Sequence, residues 1–198
     1  MMTTAARLLL ITLLLGSQNT LSATLGDDGL HKQEWFSLTF RDVAEDMAEA
    51  EEEGKRLAIV FEQAGCIYCN KMHETVLKDS EVVSYINQHY KVVQYNLYGD
   101  EEVTDLDGEV LTEKTAARKW GIMFTPTWLF LPEQSDGIEH VGIAAVGTMP
   151  GVFGKGTFLD LFTWVHEKGY AGEEDFQRYH ARRITERQAS GNGDESFD

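Results

Sequence analysis

Cysteine is scarce in this chain: two residues in 198. An exported domain that relied on disulfides as staples would carry more, and these two are separated by only two residues, so a bridge between them would restrain little of the unfolded chain. Positive charge is also scarce, with 17 Lys and Arg against 33 Asp and Glu and a net charge of −16. Nucleic acids and anionic membrane surfaces would repel such a chain and are excluded as partners; the acidity reads as a solvated surface. No long apolar run is present. The stretch from Leu8 to Leu15 falls far short of the roughly 20 residues that a membrane helix needs, so stable membrane insertion is not expected. Internal repeats are absent too.

What is present suffices for one globular domain with a sizeable core, since 42% of the residues are hydrophobic. At the start, Arg7, the apolar stretch after it and the small residues of Leu21-Ser22-Ala23 have the form of a secretory signal over residues 1–23. The mature chain is expected to begin near Thr24 and to be exported, with no cysteine nearby to carry a lipid. Residues 24–188 are expected to form the domain, and 189–198, rich in Ser, Gly and Asp, a disordered tail.

Within the domain, Val43, Ala44, Met47, Ala48 and Ala50 recur at helical spacing among carboxylates, and Gly54 closes that helix. Leu57 to Phe61 reads as a buried strand and runs directly into Cys66-Ile67-Tyr68-Cys69. Met72, Val76 and Leu77 continue at helical spacing. Asp79-Ser80 caps a second short helix, and Lys91 to Leu97 returns as a strand. An acidic, turn-rich insert near 98–111 reads as a loop or hairpin. Thr112 caps a helix that Gly121 ends, and Thr127 to Leu131 is strand-forming. The turn at Asp136-Gly137 predicts another strand from Ile138 to Val146. Phe158, Leu161, Phe162 and Val165 predict a helix, and Phe176, Tyr179 and Ile184 an extra C-terminal one. The order predicts an α/β fold with a mixed central sheet and helices on both faces.

A Cys-x-x-Cys at a helix start has chemistry built into its position. Cys66 would lie beside free helix N–H groups and the positive end of the dipole, which favour its thiolate and make it the nucleophile. Cys69, one turn on, would resolve the mixed disulfide or bond to Cys66. A haem attachment site would need His where Asn70 stands. A zinc or copper site lacks ligands, since only His73 lies near the pair and reads as readily as a surface helix residue.

Downstream, Gly121-Ile122-Met123-Phe124-Thr125-Pro126-Thr127-Trp128 sets a Thr-Pro pair before a strand. With Glu53-Gly54-Lys55-Arg56-Leu57, Phe61-Glu62-Gln63-Ala64-Gly65 before the cysteines, and Tyr95-Asn96-Leu97-Tyr98-Gly99-Asp100, these residues resemble the thioredoxin superfamily. More narrowly, they resemble the SoxW-type periplasmic thioredoxins associated with bacterial sulfur oxidation.

The resemblance implies a thioredoxin fold in which Pro126 is cis and lies against the cysteine pair, with Thr125 and Pro126 forming the substrate platform. It implies a periplasmic, monomeric dithiol reductase of cysteine-containing exported proteins, re-reduced by a membrane electron donor. No cofactor or metal is implied beyond the Cys66–Cys69 disulfide itself. Thioredoxins also carry a buried acid on the central strand. Val60 stands at the matching position here, which leaves Glu62, two residues on and on the same face, as the candidate proton acceptor for Cys69. Glu62 could instead sit exposed at the strand's end. Tyr68 reads as a partner-contacting group or a helix-surface aromatic. Disulfide oxidase or isomerase activity, and a non-catalytic binding module on the same platform, are the alternatives.

Overall fold

The computed structural model describes residues 23–134 and 137–190. Of the expected leader only Ala23 falls within them, and of the expected tail only Ala189, which still belongs to the last helix, and Ser190, which caps it. The chain opens with an antiparallel ladder of β1 (Thr24–Leu25) on β2 (His31–Lys32), which sequence periodicity did not indicate. Helix α1 (Val43–Glu52) follows. The Asp42 carboxylate accepts from the Ala44 and Glu45 N–H groups at 3.1 Å, satisfying two of the donors a helix start leaves free. At the other end Lys55 N–H donates to the Ala50 carbonyl and Gly54 N–H to that of Glu51. Gly54 has φ +69°, the left-handed geometry this termination requires.

Strand β3 (Arg56–Glu62) is buried at all seven positions because it is central in the sheet. Next come α2 (Ile67–Thr75), α3 (Ser80–His89) and β4 (Tyr90–Asn96). The insert forms a hairpin, β5 (Glu102–Thr104) on β6 (Val110–Thr112), before α4 (Glu113–Lys119) and β7 (Thr127–Phe130). A single helical turn, α5 (Val141–Ala144), leads to β8 (Gly147–Pro150), and α6 (Lys155–His166) and α7 (Phe176–Ala189) close the chain. The main sheet has the order β4-β3-β7-β8, parallel between β3 and β4 and antiparallel elsewhere. It is the mixed sheet that the sequence pattern predicts.

Side chains alternate across β3, so one strand supplies two cores. Leu57, Ile59 and Phe61 meet α1 and α4, while Ala58 and Val60 meet α2, α3 and α6. Glu62 has the parity of Ala58 and Val60 and therefore faces the α2 side of the sheet. The insert is tied in by Asp105, whose buried carboxylate accepts from Trp120 Nε1 at 2.8 Å and Val141 N–H at 3.1 Å.

One element differs from expectation. The predicted strand over 138–146 is instead the helical turn α5, and the strand falls later, at Gly147–Pro150. Ile138, Val141 and Ala144 are spaced by three, and all pack on the α1/α4 core, which a helical turn permits and an alternating strand would not. Gly142 lets this turn approach α4, since a Cβ there would come within 2.8 Å of Trp120 Cα.

Asp46, on α1, gives the fold a pH signature. Burial pushes its carboxyl up to about 6, offset only in part by the Thr39 hydroxyl at 3.0 Å and the charge of Lys91. The folded state thus holds a proton that the unfolded chain releases near pH 4, so this group's contribution to stability falls as pH rises from about 4 to 6. Asp46→Asn removes the cost of ionisation while keeping an acceptor for Thr39. The variant should melt above the parent at about pH 7.5, with the gap closing by about pH 4. A gap that stayed constant over that range would refute the assignment.

Candidate functional site

Cys66 is the N-cap of α2, with Gly65 before it at φ +71° to complete the turn out of β3. Its Sγ accepts from the Cys69 N–H at 3.0 Å, so a free backbone donor of the helix start is aimed at this sulfur. Cys66 and Cys69 form a disulfide with Cα atoms 5.2 Å apart. Cys69 is fully buried, whereas Cys66 keeps 7% of its surface, so an incoming partner meets Cys66 first. The same N–H and the helix dipole would stabilise the Cys66 thiolate after reduction.

Across from the disulfide lies the Thr125-Pro126 pair. Its peptide bond is cis, as the resemblance implied. Thr125 Oγ1 donates to Cys66 Sγ at 3.3 Å, and the Thr125 carbonyl oxygen lies 3.6 Å from the same sulfur. Pro126 is buried, and its carbonyl accepts from Gly151 N–H at 2.7 Å, tying the loop to the end of β8.

Around this centre is an exposed apolar rim. Tyr68, singled out from the sequence, is 65% exposed, and Ile67, Met123 and Phe124 are comparably open. Reading the sequence missed those three as surface residues, because an apolar residue flanking a buried strand looks like core until its direction is known.

Burial decides between the readings that the sequence left open for two residues. Glu62 is not exposed at the strand's end: it is fully buried, and its Oε1 lies 2.8 Å from His73 Nε2. His73 is not a surface helix residue either, being equally buried one turn beyond Cys69 on the same face of α2. Gln33 Nε2 lies 3.0 Å from His73 Nδ1, completing a buried polar chain from β3 to the N-terminal segment. Neither Gln33 nor His31 carries a motif in sequence; contact with α2 alone marks them. Gly29, in the β1–β2 turn, places this segment against Ala64, just before the cysteines.

Such an arrangement can carry out thiol-disulfide exchange: it has a bridged pair at a helix start, an accessible first sulfur, a cis-proline loop against it and an exposed apolar rim. Comparison with known proteins places the fold. A family model described as a thioredoxin-like domain matches residues 43–150, more than half of the chain, with Cys66, Cys69, Thr125 and Pro126 inside the match. The chain belongs to the thioredoxin-like family. Among solved structures, a thioredoxin-fold protein from Helicobacter pylori is similar at TM-score 0.54 and 16% identity, covering 70% of this chain and 86% of that one. A thioredoxin from Thermus thermophilus is similar at TM-score 0.51 and 25% identity, covering 68% and 91%. No curated protein sequence matches. The fold and the Cys-x-x-Cys disulfide are thus those of thioredoxin-like thiol-disulfide oxidoreductases.

Proposed function

We propose that the chain is an exported dithiol reductase that opens disulfides in cysteine-containing partner proteins, acting as a monomer in the periplasm and re-reduced by a membrane electron donor. Its motif resemblance to SoxW-type thioredoxins favours a client in sulfur oxidation. The observation that carries the reading is the placement of Cys66 Sγ, where the Cys69 N–H and the Thr125 hydroxyl both donate to it beside the cis Thr125–Pro126 bond.

In the reaction, the Cys66 thiolate attacks one sulfur of the client disulfide, and the other client sulfur leaves as a thiolate that takes a proton. A mixed disulfide joins Cys66 to the client. Cys69 then gives up its proton and attacks Cys66 Sγ, releasing the second client thiol and re-forming the Cys66–Cys69 bond. Two electrons pass from the protein's dithiol to the client. Thr125 and Pro126 bound the groove where an extended client segment lies, and Tyr68 packs on it from the α2 side. Glu62, bonded to His73 one turn beyond Cys69, takes the Cys69 proton. Glu62→Gln should therefore slow the release of client from the mixed disulfide, with the attack by Cys66 unchanged. Stopped-flow rates for the two steps would check this, and equal slowing of both would remove Glu62 from the role.

The reduction potential of the pair tests the direction of electron flow. A value near about −270 mV, that of thioredoxin, supports a reductase. A value approaching about −120 mV would indicate an oxidant whose dithiol form is stabilised, and would replace this reading with disulfide oxidation or isomerisation.

A further inference from the structure

Below the redox helix, three ligand-bearing side chains from three separate elements converge. His31 comes from β2, Glu62 from the end of β3 and His73 from α2, each offering one ligand atom, and these atoms all lie within 4.8 Å of one another. Glu62 and His73 are fully buried, and His31 is half-buried, which leaves a path from solvent. The His31 and His73 rings stack with centroids 5.1 Å apart.

A second observation singles out this place. The other carboxylate oxygen, Glu62 Oε2, is buried and has no hydrogen-bond partner among the described residues, and the same holds for His31 Nδ1. A sealed carboxylate oxygen with nothing donating to it is costly, and native structures avoid leaving one unless another group meets it.

We propose that His31, Glu62 and His73 bind a divalent ion of the zinc class. Two imidazole nitrogens and one carboxylate oxygen are a donor set that suits zinc and leaves a fourth position open. Bonds of about 2.0–2.1 Å in a tetrahedral arrangement hold ligand atoms about 3.3 Å apart. Small side-chain rotations reach that spacing from the present one. The ion would give the buried carboxylate its counter-charge and clip the N-terminal segment to β3 and α2. Gln33 can hold His73 in the ligating orientation: turning its amide by 180° sets its oxygen against His73 Nδ1. That nitrogen then keeps the proton, and Nε2 is free to ligate. Residues 31 and 73 are remote in sequence and meet only in the fold, so no spacing motif marks the site.

The site shares Glu62 with the proton transfer proposed above, and an ion there would occupy that carboxylate as a ligand. The test therefore uses the oxidised full-length chain, in which the cysteines hold no thiolate and no proton moves; failure of the redox reading leaves its outcome unchanged. Chelator-treated protein is titrated with Co(II) and then Zn(II). The expected result is one equivalent of cobalt with visible d–d absorption, displaced by zinc, and a zinc-dependent rise in melting temperature. His31→Ala should weaken binding by about 100-fold or more and remove the thermal shift, and the near-isosteric Glu62→Gln should do the same. His89→Ala, at the last residue of α3, where the ring centroid lies 4.0 Å from that of His166, should leave binding intact. Absence of binding at stoichiometric cobalt, binding unaffected by His31→Ala, or binding lost in His89→Ala would each overturn the proposal.

Discussion

Cys66→Ser should abolish turnover of a disulfide substrate, by about a thousandfold or more. A serine hydroxyl ionises far above neutral pH and cannot form the Cys66–Cys69 bond, so both the attack and its reversal are lost, although the fold keeps its core. Cys69→Ser should behave differently. Cys66 stays poised at the start of α2 with the same backbone N–H donating to it, so the first attack proceeds. Resolution does not follow, and the covalent adduct between Cys66 and the client accumulates. Non-reducing electrophoresis of the two variants after mixing with a disulfide client reads both expectations in one experiment. An adduct formed by Cys66→Ser and absent from Cys69→Ser would invert the roles of the two sulfurs. Absence of adduct from both would leave a platform without turnover.

Trp128→Ala should lower stability by about 3–5 kcal/mol. Trp128 is fully buried on β7, edge-on to Phe158 at 5.6 Å and Phe162 at 5.3 Å, and its Nε1 donates to Met72 Sδ at 3.2 Å. Its removal opens a cavity among β7, α6 and α2 in a close-packed core. For a chain of this length the loss corresponds to a fall of about 10–15 °C in melting temperature. Thermal or urea unfolding would measure it, and a loss under about 1 kcal/mol would mean that α2 and α6 relax into the space. Because Met72 lies between Cys69 and His73 on α2, the variant should also loosen the redox helix. Its disulfide should then be reduced faster by dithiothreitol than that of the parent.

Much of this molecule is legible locally. Asp42, Asp79 and Thr112 are side chains suited to capping, and each caps the helix that follows it. Leu57 to Phe61 is apolar at every position because β3 has neighbours on both edges and helices on both faces. The Cys-x-x-Cys spacing places both sulfurs at one helix start and allows the bond that the structure shows. The failure over 138–146 has an equally local cause: a run of Ile, Val and Ala with a glycine suits either a strand or a helical turn. Contact with Trp120 and Asp105, both distant in sequence, selects the turn.

By itself, the order of residues determined most of the elements, the mixed sheet and the placing of the Cys66 sulfur at a helix start, because periodicity, caps and a two-residue spacing are properties of neighbours along the chain. Only the tertiary structure decided what surrounds that sulfur. It brought Thr125 across 59 positions to Cys66, turned Ile67, Tyr68, Met123 and Phe124 outward, and set Glu62 against His73 and His31 inside the domain. Burial and partner choice are set by which surfaces the sheet and helices close upon, and no window along the chain contains that information.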